Sequence, residues 1–191
     1  MSITTNVYAV NLEDINRILS AQDESVAEKA AQAVIREQDW TEGEDRQWLF
    51  DVARRVIIDG DLSCENAGWV FYGLALLGDS ESLDDGWDFA SYQDMMINAE
   101  AFGLSEQACD LLEAIVAGRT PTLDKITEAG GEAIGAFLTA EEADELVGEL
   151  LDSVELKDAA DEEITETAYD HLVPTLDREL PDGYGFFFFS H

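Results

Sequence analysis

The sequence predicts an α+β fold, a predominantly helical single domain over residues 1–191 with a small sheet that includes the N-terminal and C-terminal strands. Three observations carry this. Most apolar residues recur at three- and four-residue spacing in segments of helical length. The opening stretch, residues 3–12, is rich in β-branched residues and partly alternates. The chain closes on YGFFFFSH, whose four phenylalanines are too few for a membrane anchor and fit a strand covered on both faces.

Taken in order, the first strand spans residues 3–10 and places Thr5, Val7 and Ala9 on one face. Asn11 is positioned to cap the helix that follows, with Asp14 at the positive end of its dipole and Ile15, Ile18 and Leu19 on its apolar face. A second helix carries Val26, Ala27, Ala30, Ala31, Val34 and Ile35. Thr41 to Glu44 has capping-box spacing and starts a helix to about residue 59, burying Leu49, Val52, Ala53, Val56 and Ile57, with Gly60 as its stop. Arg54 and Arg55 form the only adjacent basic pair. They can grip an anionic ligand or make internal ion pairs, and the surplus of acids favours the second.

Residues 64–78, CENAGWVFYGLALLG, are apolar all round and imply a central helix, in which Gly68 and Gly73 admit another backbone. Residues 105–118 read as a helix capped by Ser105 and ended by Gly118, with Ala108, Leu111, Leu112, Ile115 and Val116 inward. A connector with a short helix between residues 121 and 130 follows, and its Gly-Gly pair matches no phosphate-binding fingerprint. Residues 133–138 form a strand. A capping box, Thr139 to Glu142, then leads a helix with Ala143, Leu146, Val147, Leu150 and Leu151 inward. The last helix presents Ile164, Ala168, Leu172 and Leu176, and must kink or restart at Pro174. Residues 184–190 complete the sheet, with Phe186 and Phe188 on one face and Phe187 and Phe189 on the other. Strand order is left open.

Charge limits function. Against 10 Lys and Arg stand 43 Asp and Glu, a net charge of -33 and a pI near 4.1. Such a surface repels nucleic acid and anionic membranes, so neither is an expected partner, and a basic protein is. Three readings fit the acidity: adaptation to salt, a stoichiometric inhibitor or immunity protein steered onto a basic toxin or enzyme, and a DNA mimic. The start MSITTNVYAVNLED has no basic or apolar leader pattern, which predicts a cytoplasmic protein. The longest apolar run, residues 67–78, falls short of the roughly 20 residues that span a bilayer. Cys64 and Cys109 lack metal or disulfide spacing and read as small core residues in helical patterns.

The densest polar and aromatic stretch, GDSESLDDGWDFASYQDMM from Gly78, reads as a loop. Asp79, Glu81, Asp84, Asp85, Trp87, Asp88 and Tyr92 are its candidate partner-binding residues. An EF-hand alignment from Asp79 fails, with Leu83 at the fifth position and Asp84 where glycine belongs. No cofactor or metal is expected. A small carboxylate- or metal-dependent hydrolase using Asp84, Asp85 and Asp88 stays open as the enzymatic alternative. His171, alone beside Asp170 at the edge of an apolar row, reads as structural.

Three fragments, VYAVNLEDINRIL near the start, IGAFLTAEEADELVGELL late in the chain and the closing aromatic strand, resemble the YfbM-like group of small bacterial proteins of unknown function. In that group an initial strand leads into a helix, and a hydrophobic, Leu-Thr, Glu-Glu helix start comes late. The resemblance leaves the Trp- and Asp-rich middle unmatched. It implies one α/β or α+β domain in a bacterial cytoplasm and no established catalytic residues.

Overall fold

The computed structural model describes residues 3–40, 46–123, 133–159 and 161–191. Their centre is a four-stranded antiparallel sheet in the order β2-β1-β4-β3. The strands are β1 (Thr4–Asn11), β2 (Glu81–Asp88), β3 (Ile134–Thr139) and β4 (Tyr184–Ser190). Three of them, β1, β3 and β4, lie within one residue of the strands expected from the sequence. The fourth, β2, corrects the loop reading of the Asp-rich stretch. An edge strand needs a backbone partner on one side only and can leave most of its side chains in water, so Glu81–Asp88 pairs with β1 without an apolar pattern.

The closing aromatic strand is interior. β4 pairs with β1 on one side and β3 on the other, and Phe186, Phe187, Phe188 and Phe189 are all buried. Phe186 and Phe188 join Val7, Ala136 and Leu138 on one face. That face is covered by α5 (Phe89–Asn98), α6 (Glu106–Ala117), α7 (Ala140–Asp152) and the last helical segment. Phe187 and Phe189 join Val10 and Phe137 on the other, beneath α1 (Leu12–Ala21), α2 (Glu24–Glu37), α3 (Gln47–Ile57) and α4 (Ala67–Leu77). Phe187 stacks on Phe137 with centroids 4.6 Å apart, and Phe189 stacks on Tyr72 at 4.4 Å. Each face thus has its own apolar core, as the two-sided alternation requires.

Buried from Ala67 to Ala75, α4 is the expected central helix. Its close approach to α2 depends on Gly73, where a Cβ would lie 2.4 Å from the carbonyl oxygen of Ala30. Ala27, Ala30, Ala31 and Val34 give α2 the small face that this contact needs, while Val26 and Ile35 are only partly buried. The helix starts follow their caps. Asp14 N–H donates to Asn11 Oδ1 at 2.9 Å, Ala108 N–H to Ser105 Oγ at 3.3 Å, and Glu142 N–H to Thr139 Oγ1 at 3.1 Å, with Thr139 N–H returned to Glu142 Oε2 at 2.9 Å. Arg54 pairs with Glu24 and Arg55 with Asp61, so both arginines make ion pairs within the chain.

Some details differ from expectation. Leu151 leaves 42% of its surface exposed, because the inward row of α7 ends at Leu150. Cys64 is buried, but in the turn before α4 rather than in a helix, and Cys109 is partly buried on α6. The capping box at residues 41–44 and most of the connector at 121–130 lie outside the described residues. After the short α8 (Val154–Lys157), the final helical segment runs on through Pro174 instead of stopping there: α9 (Glu162–Glu166) widens into a π-helical turn, Thr167–Leu172, and continues as α10 (Val173–Leu176). Val173 N–H reaches back five residues to the Ala168 carbonyl. That wider turn relieves the clash a proline ring makes with the carbonyl four residues earlier. Among the described residues no helix is long and apolar enough to cross a membrane.

Candidate functional site

The candidate residues gather along β2, and two irregularities decide where their side chains go. Against β1, Thr5 pairs with Trp87, Val7 with Asp84 and Tyr8 with Ser82, so β2 has an extra residue on each side of Asp84. Gly86, at φ +90°, supplies the left-handed conformation that the first bulge requires. Asp84 and Trp87 are three residues apart and would face opposite ways in a regular strand. The bulge puts both on the face of Thr5 and Val7, the face covered by α5 and the π-helical turn.

There Asp84 pairs with Nδ1 of His171, a ring that keeps only 7% of its surface exposed. Trp87 meets the same imidazole edge-on, ring centroids 3.5 Å apart, and its Nε1–H donates to Thr167 Oγ1 at 3.2 Å. Thr167 Oγ1 in turn donates to the Glu163 carbonyl at 2.8 Å. Burial lowers the His171 pKa, and the negative charge of Asp84 pulls in the opposite direction. Tyr92, on α5, lies buried nearby. Burial first, and the charge of Asp84 second, push its phenol well above the usual tyrosine range. Tyr92 therefore supports the site from within and offers a partner no surface.

The remaining candidates face outward or serve the backbone. Asp88 caps α5, accepting from Ala90 N–H at 3.2 Å. Asp79 accepts from the Tyr184 hydroxyl at 3.2 Å, and Glu81 is exposed at the start of the strand. The side chain of Asp85 lies outside the described residues. At the far end of β2, Trp87, Asp88, Ser91, Glu162, Glu163 and Glu166 line an open groove of about 520 Å³. Ser91 Oγ donates to Glu163 Oε1 at 2.8 Å and fixes one wall. Among the described residues no group of three or more His, Cys, Asp or Glu side chains is arranged to hold a metal ion.

The acidic residues of α9 and the role of His171 were absent from the sequence-based site. The row Thr167, His171 beside the Ile164, Ala168, Leu172 stripe carries a usable signal: a polar pair on the margin of an apolar face must find a buried partner. Its identity as Asp84 depends on the bulges, which side-chain patterns do not display. Comparison of the chain with protein-family models, with curated proteins and with solved structures finds no match.

Proposed function

We propose that the chain is a non-enzymatic acidic binding protein of the immunity type, which neutralises a basic toxin or enzyme by direct contact, and that the partner meets it along β2. One observation carries this reading: β2 is the terminal strand of its sheet and leads from exposed Glu81 to a groove walled by Asp88, Glu162, Glu163 and Glu166. A strand edge offers backbone groups to an extended segment, and acidic walls select a basic one. The net charge of -33 would speed encounter with such a partner, an advantage that salt removes.

The test is capture of partners at low salt from a lysate of the source organism, with elution by a salt gradient. It compares the wild type with the double variant Glu81→Lys, Glu162→Lys. A basic protein retained by the wild type and lost by the variant is the expected result. Equal retention by both would refute the assignment to β2.

The Asp84–His171 pair supports a second reading, a small hydrolase or transferase in which Asp84 orients the imidazole as a general base. It requires turnover of model esters or phosphoesters by the wild type that is lost in Asp84→Asn. No turnover by the wild type removes it.

A further inference from the structure

A second recess lies at the opposite end of β2 from the acidic groove, between the C-terminal end of α4, the first turns of α1 and the Asp79–Ser80 link that enters the strand. Its volume is about 220 Å³. Ile15, Ile18 and Leu77 contribute an apolar floor, and Asp14, Asp79 and Ser80 a polar rim. From these features we infer that the recess binds an arginine side chain of the basic partner. The inference rests on the docking reading above and specifies where that partner anchors.

Three features select this occupant. The volume is below the roughly 300–1,000 Å³ of pockets for drug-sized ligands and suits a single side chain. The lining is amphipathic in the sense an arginine needs, with apolar surface for the methylene stem and the Asp79 carboxylate for the planar head, Asp14 being held by Arg17. Leu77 leaves 40% of its surface in water, so covering it adds apolar burial to what is otherwise a weak surface ion pair. The rim already holds a guanidinium: Arg17 Nη2 lies 2.7 Å from Asp14 Oδ1. Asp79, oriented by the Tyr184 hydroxyl, is the carboxylate offered to an incoming one.

The experiment is an NMR titration of the ¹⁵N-labelled protein with N-acetyl-arginine amide at low salt, and with the uncharged isostere N-acetyl-citrulline amide. Expected are saturable amide shifts at Asp14, Ile15, Ile18, Leu77, Asp79 and Ser80 with the arginine compound alone. Asp79→Asn should weaken this binding about fivefold. Both Asp79 and Leu77 are exposed, so their variants should fold. Shifts scattered over the acidic surface without saturation would overturn the inference. Partner capture that survives Asp79→Asn with Leu77→Ala yet is lost in the Glu81→Lys, Glu162→Lys variant would also overturn it, leaving the acidic edge in place. Loss of capture in both sets of variants supports it.

Discussion

Replacing Phe187 with alanine tests the idea that the last strand is an interior wall between two cores. The ring is fully buried, stacks on Phe137 at 4.6 Å, and lies 6.2 Å from Tyr8 and 6.1 Å from Phe189. Removing a buried phenylalanine to Cβ costs about 3–5 kcal/mol, including the cavity left behind. Lost aromatic pairing contributes up to about 1.5 kcal/mol to contacts of this kind, so a cost of about 4 kcal/mol is expected. In a chain of this length each kcal/mol lowers Tm by about 2–4 °C, which puts the expected drop near 12 °C. Urea unfolding followed by circular dichroism measures the free-energy loss and a thermal scan the drop in Tm, both in about 0.5 M salt to screen the self-repulsion of the acidic surface. The midpoint should fall with the slope unchanged. A loss below about 1 kcal/mol would mean that Phe187 is not enclosed and would refute the two-sided strand.

Other substitutions probe the helical packing and the buried imidazole. Gly73→Ala should destabilise by about 1–3 kcal/mol, because its Cβ would press on the Ala30 carbonyl and outweigh the helix-propensity gain. Gly148→Ala on α7 meets nothing within 4 Å and should stabilise by about 0.5–1 kcal/mol in the same assay. His171→Gln should change the pH dependence. The folded-state pKa of His171 is lowered from its ordinary 6.5, so the unfolded chain takes up the proton first as the pH falls. The stability tied to the neutral ring is therefore present above pH 6.5 and lost below it as the pH falls through the folded value. Urea midpoints between roughly pH 7.5 and 5.5 should fall less steeply in the variant than in the wild type, and equal slopes would refute the assignment.

Much of the fold was legible because its signals are local. Asn11, Ser105 and Thr139 each start a helix through a hydrogen bond spanning three residues, and Gly118 follows directly after the end of α6. The four consecutive phenylalanines encode two faces by parity alone, and both faces are covered as that parity demands. β2 was illegible for the complementary reason: its pairing rests on backbone bonds to β1, and its two bulges break the alternation that marks a strand. The Asp84–His171 pair joins residues 87 positions apart, so only the fold brings it into view. The Asp-rich stretch is visible in the sequence only as a concentration of polar and aromatic groups, and the fold gives those groups separate places. Its acids divide between a partly buried pair at Asp84, a helix cap at Asp88 and outward-facing Asp79 and Glu81.

In the proposed function a basic partner adds to the acidic edge at β2. Hydrogen–deuterium exchange of the captured complex tests it most directly, with the free protein as reference. New protection of the β2 amides, Glu81–Asp88, that disappears as salt releases the partner is the expected result. Protection confined to the helices on either face, with β2 exchanging as in the free protein, would contradict it.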